Sequence, residues 1–181
     1  MQKLIDLAHI RSTTRKIRGI VKKTPLQESL NYSQKYNSKI FFKREDLQDV
    51  KSFKIRGAYT KILSVEKTIA QNGLVCASAG NHAQGFAVSC SLLDYNGTVF
   101  MPHSTPSLKV SSVKKFGGKN IKIKLVGENF SKAYKAAMDY CIKNRKTFIH
   151  PFDDIKVIEG QATLFLEVIE QIKNPIDYIF I

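Results

Sequence analysis

Short apolar runs and longer helical patterns alternate along the chain, most clearly from residue 73 onward. Runs rich in β-branched residues, which predict strands, lie at 40–43, 74–77, 98–101, 121–126, 147–150 and 178–181. Between these runs, apolar residues recur three or four positions apart, as they do on one face of a helix. Strands that alternate with helices are typical of βα units around a parallel sheet. The sequence therefore predicts an α/β fold.

Capping and breaking residues set the bounds of the predicted helices. The first helix runs from about Lys3 to Ile20 and ends before the Thr24-Pro25 step. The second begins near Ser52, which is a plausible N-cap. Further helices are predicted after residues 78–81, from Thr105-Pro106 to Gly117-Gly118, at 131–143 and at 157–173.

The composition is that of a globular protein: of 181 residues, 43% are hydrophobic and 24% are charged. One or two small domains are expected. No apolar stretch approaches the roughly 20 residues that a membrane helix requires, and charges interrupt the amino terminus where a signal peptide is apolar. Cys76, Cys90 and Cys141 lie far apart among apolar neighbours, which favours buried thiols over a disulfide or a metal site. We therefore expect a cytoplasmic protein.

The formal charge of +14 would suit a nucleic-acid binder if the basic residues clustered on one face. Only six of the 29 basic residues are Arg, although Arg is favoured for bidentate contacts to bases and phosphates. Lysines alternate with apolar residues, as at 119–124, where a half-buried strand would place Lys outward and Ile inward. A solvated basic surface is therefore favoured over a nucleic-acid site.

Lys54 lies at the start of the predicted second helix. Ala58 and Ile62 follow it at four-residue steps, so its ammonium group would lie against an apolar wall. Loss of water there lowers the pKa of a lysine, and the neutral amine is the form that attacks a carbonyl group or takes a proton. Because the chain contains many lysines, a solvated surface residue is the alternative.

A second candidate site is the segment SAGNHAQG at 78–85, where a predicted strand turns into a helix. Free backbone N–H groups at such a helix start point at a ligand, and the helix dipole favours negative charge. Gly80 would let the backbone approach a carboxylate or a ring oxygen closely. The alternative is a turn in which Ser78 or Asn81 satisfies the helix's own N–H groups.

Together, SFKIRGA at 52–58 and SAGNHAQG at 78–85 resemble the fold-type II pyridoxal-phosphate enzymes, among which the threonine dehydratases match best. Other segments agree with this resemblance: TPL at 24–26, KREDLQ at 43–48, MPHSTPSLK at 101–109 and PFDDIKVIEGQ at 151–161. The resemblance spans nearly the whole chain. Cystathionine-synthase-like and threonine-synthase-like enzymes share the architecture but carry different residues around the lysine.

The resemblance implies a role for each candidate residue. Lys54 is the lysine that forms a Schiff base with pyridoxal 5'-phosphate, Phe53 packs beside the cofactor ring, and Asn81 bonds the 3-hydroxyl oxygen of that ring. For His82, the alternative is a helix-start histidine that only caps or is exposed. The residues expected to hold the substrate carboxylate are Ser78, Gly80, Asn81 and His82.

The implied fold is the tryptophan-synthase-β-like type, with a small α/β domain of four parallel strands at 73–150. Residues 1–72 would form the amino-terminal part of a larger domain that carries the lysine, and 151–181 would begin the return into it. In this family a glycine-rich phosphate loop follows a strand resembling 176–181. We therefore expect the chain to be truncated before that loop, and to turn over little or no threonine alone.

The implied reaction converts threonine to 2-oxobutanoate and ammonia by β-elimination, as in isoleucine biosynthesis, with Lys54 removing the α-proton. Two alternatives stay open: a serine racemase or serine dehydratase, which shares these motifs, and a non-catalytic remnant of a split or decayed gene. The expected partners are an amino-acid substrate and, for the full-length protein, further copies of the chain or a complementing carboxy-terminal polypeptide. Nucleic acid, membrane and metal are not expected.

Overall fold

The computed structural model describes residues 5–181. The strands are β1 (Leu26–Glu28), β2 (Phe41–Lys43), β3 (Leu74–Ala77), β4 (Gly97–Met101), β5 (Ile121–Leu125) and β6 (Thr147–Phe148). The α-helices are α1 (Leu7–Lys16), α2 (Leu30–Tyr36), α3 (Lys54–Ser64), α4 (Lys67–Gln71), α5 (Asn81–Leu92), α6 (Ser107–Gly117), α7 (Phe130–Asn144) and α8 (Ile155–Gln171). Short 3₁₀ turns occupy Glu45–Leu47 and Gly118–Asn120.

A four-stranded parallel sheet in the order β5-β4-β3-β6 forms the centre of the fold. Strand β3 is buried at all four positions. Its Leu74 and Cys76 pack with α5 and α6 on one face, and its Val75 and Ala77 pack with α7 on the other. Because helices cover both faces, β3 is a continuous apolar run and does not alternate with polar residues.

Strand β5 lies at one edge of this sheet. Ile121 and Ile123 are half-buried, whereas Lys122 and Lys124 are exposed, as the alternating pattern predicted. The ammonium of Lys124 lies 4.0 Å from the centre of the Tyr140 ring. Lysines on an edge strand discourage pairing with other chains, so part of the positive charge has a structural role.

Helix α3 packs between α5 and α8, outside the sheet. The crossing of α3 and α8 is close because glycines face each other there: a Cβ on Gly160 would collide with the carbonyl oxygen of Arg56 and with the Cα of Gly57. Strands β1 and β2 form a separate antiparallel pair in which Leu26 faces Lys43. These contacts bring the amino-terminal segments, α3 and α8 together.

Most predicted elements are confirmed, with bounds shifted by a few residues. Gly118, with φ of 52°, ends α6 as predicted. The first helix is shorter than predicted, since it covers Leu7–Lys16; Lys3 lies outside the described residues, as do all of residues 1–4. The predicted cap at Ser52 is wrong, because Phe53 occupies the N-cap position and no side chain caps α3.

The strand predicted at 178–181 is also wrong. These residues pair with no strand in the described part of the chain and are exposed. A strand persists only where its backbone N–H and C=O groups find partners, and apolar composition alone does not supply them. The proposed division of the chain at 72/73 and 150/151 into domains stays a prediction.

Within residues 5–181, no helix combines the length and apolarity that crossing a membrane requires. The three cysteines are free and buried. In the same range, no group of His, Cys, Asp and Glu side chains is arranged to hold a metal ion.

Candidate active site

The candidate site lies at the carboxyl end of the parallel sheet, which is where open α/β sheets bind their ligands. Residues 78–80 follow β3 directly. Residues 149–154, which we call the β6–α8 loop, follow β6. Lys54 opens α3, which packs against α5. Both segments that the sequence singled out therefore contribute to one region.

Lys54 is partly buried, and its burial lowers the pKa of its ammonium group, as the sequence predicted. Ala58 and Ile62, the apolar residues on its stripe of α3, are fully buried. The Nζ atom donates a hydrogen bond to the carbonyl oxygen of Pro151 at 3.0 Å and lies 5.3 Å from the centre of the Phe53 ring. The amine is therefore both desolvated and held in a defined place.

Gly85 brings Lys54 close to the SAGNHAQG segment. A Cβ on Gly85 would lie 3.0 Å from the carbonyl carbon and oxygen of Lys54, so a larger residue would push the two backbones apart. Because Gly85 is one turn inside α5, its contact places the first turn of α3 beside the start of α5.

The amino terminus of α5 has no side-chain cap. Gly80 is the N-cap residue, and a Cβ built on it would have no atom within 4 Å, so the space beside it is open. Ser78 accepts a hydrogen bond from the Gly80 N–H at 3.2 Å, and Asn81 is exposed. Of the two possibilities that the sequence left open, this geometry favours an anion site over a turn that caps its own helix.

His82 is turned into the interior, so the alternative of a capping or exposed histidine is wrong. Its side chain is 2% exposed, and Nε2 lies 3.2 Å from the carbonyl oxygen of Ile149. Burial lowers the pKa of His82 to about 4; the bond to Ile149 opposes this, whereas the positive charge of Lys54 adds to it. The imidazole is therefore neutral, and its Nε2–H group donates a hydrogen bond to the Ile149 carbonyl oxygen.

The β6–α8 loop is fixed at its far end by Asp154. This carboxylate caps α8 by accepting hydrogen bonds from two backbone N–H groups, and its second oxygen lies 2.7 Å from the Nζ of Lys61 on α3. Within the loop, Nδ1 of His150 accepts a hydrogen bond from the backbone N–H of Asp153 at 2.7 Å. These contacts fix the loop that presents the Pro151 carbonyl to Lys54.

A buried ion-pair network lies behind the first turn of α3, and the sequence did not predict it. The Arg56 guanidinium, 1% exposed, binds Glu45 at 2.7 Å and Glu167 at 2.8 Å. Lys43 also binds Glu167, at 2.6 Å, and Thr24 donates to Glu45 at 2.6 Å. The network joins four segments of the chain. An Arg among the apolar residues of α3 was the one signal that could have revealed it.

The residues present fit a ligand that carries an aldehyde and anionic groups. Lys54 provides an amine with a lowered pKa, Phe53 an aromatic ring beside it, and α5 the uncapped N–H groups that bind anions. The individual roles of Phe53, Lys54 and Asn81 toward a cofactor, and of Ser78, Gly80, Asn81 and His82 toward a carboxylate, stay predictions.

Comparisons with a family model and with curated proteins point to the same family of enzymes. The family described as pyridoxal-phosphate dependent enzyme matches residues 17–181. L-threonine dehydratase biosynthetic IlvA from Bacillus subtilis is 46% identical over 177 residues, which are 98% of this chain and 42% of that protein. The chain thus spans about two fifths of the length of the curated relatives it matches.

Two solved structures share the fold. Threonine deaminase isoform 2 from Solanum lycopersicum has a TM-score of 0.82 at 30% identity, over 96% of this chain and 52% of that one. Maize serine racemase has a TM-score of 0.86 at 30% identity, over 92% of this chain and 50% of that one. The predicted α/β fold with a parallel sheet flanked by helices is therefore confirmed.

Proposed function

This chain belongs to the family of pyridoxal-phosphate dependent enzymes, and on that basis we propose that it supplies the reactive lysine and the carboxylate site of a threonine dehydratase. One observation carries the proposal: the desolvated amine of Lys54 lies in the region where α5 presents an uncapped amino terminus. The choice of threonine is supported by the curated relatives, named L-threonine dehydratase, at 44% to 48% identity.

Three residues would hold pyridoxal 5'-phosphate: Lys54 through its amine, Phe53 beside the ring, and Asn81 at the ring oxygen. When bound, the cofactor withdraws electrons and so stabilises negative charge at the α-carbon of the substrate. The lowered pKa of Lys54 suits this role, because a larger fraction of the amine is neutral and able to react at neutral pH.

The substrate carboxylate would bind at the start of α5. The space beside Gly80 is open, the backbone N–H groups of Asn81 and His82 at this uncapped helix start would be available to the carboxylate, and the dipole of a 12-residue helix favours an anion at that end. Ser78 would contribute its hydroxyl. Because the His82 ring is buried, its share in this site would be its backbone N–H alone.

Lys54 would act as the base that removes the α-proton of threonine. Its Nζ already has an acceptor in the Pro151 carbonyl, which would orient the ammonium group while it holds that proton. The β-hydroxyl would then take up a proton and leave as water, and hydrolysis of the resulting enamine, through its imine form, would give 2-oxobutanoate and ammonia. A place in isoleucine biosynthesis and a cytoplasmic location stay predictions.

The test is ammonia release from threonine by a protein that contains this chain and a complete family domain. Lys54→Ala should abolish the release of ammonia. It should also abolish the absorbance band, near the edge of the visible range, of pyridoxal phosphate bound to the lysine. Lys51→Ala, which changes an exposed lysine three residues away, should leave both unchanged. Activity and absorbance that survive in Lys54→Ala would refute the assignment.

Serine racemisation or dehydration is a second candidate, favoured by the similarity to maize serine racemase. Measuring ammonia, oxo acid and D-serine from L-threonine and L-serine separates the two. A threonine dehydratase should release 2-oxobutanoate from threonine faster than it forms D-serine from L-serine. No turnover of either substrate would favour a non-catalytic chain.

The activity is proposed for a protein with the whole family domain, because the chain spans about two fifths of its relatives. The rest would come from the same polypeptide or from a complementing one, and the complete protein would form a homo-oligomer. Exposed apolar side chains on α8, such as Ile158 and Ile169, support a surface that another polypeptide covers.

A further inference from the structure

Two side chains from different helices bind the β6–α8 loop two residues apart. Nε2 of His82, on α5, lies 3.2 Å from the carbonyl oxygen of Ile149. Nζ of Lys54, on α3, lies 3.0 Å from the carbonyl oxygen of Pro151. Because the two carbonyls are separated by a single residue, the position of one strongly limits the position of the other.

The imidazole of His82 is held by one polar contact. Its Nδ1 atom is buried and has no hydrogen-bond partner among the described residues, so the bond to Ile149 is what fixes the ring. The titratable side chains near it are Lys54 and His150, and the positive charge of Lys54 disfavours a second proton on the ring. A neutral donor suits this place, since an imidazolium would repel the Lys54 ammonium.

We propose that His82 is a positioning residue for Lys54: by holding the Ile149 carbonyl, it keeps the Pro151 carbonyl of the β6–α8 loop within hydrogen-bond reach of the Lys54 amine. The inference rests on the proposed role of Lys54 as the reactive amine. It assigns the His82 ring a task separate from substrate binding. The Val75 carbonyl holds the Ile149 N–H and Asp154 anchors the far end of the loop, so loss of the His82 bond would release only the stretch between them. This stretch carries the Pro151 carbonyl, and its movement would admit water to the amine.

The experiment compares two variants of the purified, cofactor-free protein, in which the Lys54 amine is free. His82→Phe keeps a ring but removes the donor, whereas His82→Gln keeps an N–H donor of comparable reach. The pKa of Lys54 is measured from the pH dependence of competitive acylation, followed peptide by peptide by mass spectrometry. In His82→Phe the pKa should rise toward the ordinary value of 10.5, because water reaches the amine. In His82→Gln it should stay close to that of the unaltered protein.

His103→Phe is the control, because His103 is exposed and lies after β4. It should not change the pKa of Lys54. A pKa that fails to rise in folded His82→Phe, or that rises equally in both His82 variants, would overturn the proposal. Since no substrate is used, threonine turnover can fail without affecting this result, and the two proposals are separable.

A second measurement needs no substitution, in case His82→Phe does not fold. Imidazole ¹⁵N shifts in the unaltered protein should show His82 as the neutral Nε2–H tautomer between about pH 5 and 8. An Nδ1–H tautomer, or a ring that gains a proton in this range, would refute the bond to Ile149 on which the proposal depends.

Discussion

Two cationic side chains two residues apart in α3 have opposite surroundings. Within residues 5–181, Lys54 meets a carbonyl oxygen but no carboxylate, and burial lowers its pKa. Arg56 meets two carboxylates, from Glu45 and Glu167. The spacing of apolar residues in one helix was enough to predict the first environment. It could not predict the second, because Glu167 is 111 positions away along the chain.

Arg56 should be important for stability. Arg56→Met would leave the buried carboxylates of Glu45 and Glu167 without their guanidinium partner, and breaking a buried pair in this way costs about 3–5 kcal/mol. Arg44→Met, which removes a more exposed pair with Asp46, should give no measurable change. Chemical denaturation of both variants tests this, and equal losses of stability would contradict it.

Acid should destabilise the protein partly through Glu167. Burial alone would raise the pKa of Glu167, but hydrogen bonds from Arg56 and Lys43 outweigh it, so the pKa lies below its ordinary value of 4.5. A carboxyl group with a lowered pKa in the folded state stabilises the fold above its unfolded-state pKa and loses this effect as the pH falls through the folded-state value. The unfolding free energy should therefore decrease below about pH 4.5.

Glu167→Gln tests this origin of the acid sensitivity. The variant should be less stable at neutral pH and should lose less stability on acidification than the unaltered protein. Glu28→Gln, at an exposed position of β1, is the control and should leave the pH profile as it was. If Glu167→Gln lost as much stability on acidification as the unaltered protein, the acid sensitivity would come from other carboxyl groups.

At the scale of elements, segments with a strong apolar periodicity were predicted, whereas short segments without an apolar stripe were missed. The buried sheet requires apolar patterns, and these mark its four strands and the helices α3, α5, α6, α7 and α8. Helix α2 was missed because none of its residues is buried, so no apolar stripe marks it. Strand β1 has only three residues, and its pairing with β2 comes from contacts remote in sequence.

Within the candidate site, the sequence located Lys54 and the start of α5, which are local features. The orientation of the His82 ring and the acceptor role of Pro151 were not predictable, because both depend on a loop about 70 to 100 residues further along. Every residue has a backbone carbonyl, so residue type does not indicate which carbonyl accepts a hydrogen bond. Tertiary packing, which sequence spacing does not encode, decides these contacts.

Gly85 should control how closely α5 approaches Lys54. In Gly85→Ala the new methyl group would lie 3.0 Å from the Lys54 backbone, which would have to shift. Overpacking of this kind typically costs about 1–3 kcal/mol and should move the Lys54 amine. Thermal unfolding and the pKa of Lys54 measure the two effects.

Gly80→Ala is the control for the effect of Gly85→Ala on stability. Its added methyl group meets no atom within 4 Å, and its φ of −134° is open to any residue, so stability should change little. The same methyl group would occupy the space proposed for the carboxylate and should weaken substrate binding. If Gly85→Ala were as stable as Gly80→Ala, the α3–α5 contact would be looser than the structure shows.

At the scale of the whole molecule, the net charge of +14 follows from residue counts alone, whereas the charge that the surface presents also depends on where the residues lie. Glu45, Glu159 and Glu167 are buried, so their charges pair inside the protein. Lysines such as Lys122 and Lys124 lie on the surface instead. Composition gave the total charge, and only the folded chain shows which acidic and basic side chains pair with each other and which lysines remain on the surface.

The surface of α8 should be the place where a polypeptide carrying the rest of the family domain packs. Ile158, Ala162, Phe165 and Ile169 recur at helical spacing, and Ile158 and Ile169 are 41% and 65% exposed. Burying one such side chain contributes roughly 1.5–3 kcal/mol, so covering this stripe would stabilise the complete domain considerably. Continuation of the same chain or a separate polypeptide would serve equally.

Ile158→Glu tests the covering of α8, with Ile142→Glu as its control, since Ile142 is 76% exposed on α7. Ile142→Glu should leave the stability of the 181-residue chain unchanged, because its side chain already faces solvent, whereas Ile158→Glu should lower the stability slightly, because Ile158 is only 41% exposed. When a polypeptide with the remaining part of the family domain is added, calorimetry should show binding that is weakened at least tenfold by Ile158→Glu, because a charge would be buried in an apolar contact. Ile142→Glu should bind as the unaltered chain does. Equal affinity of both variants would place the contact elsewhere on the molecule.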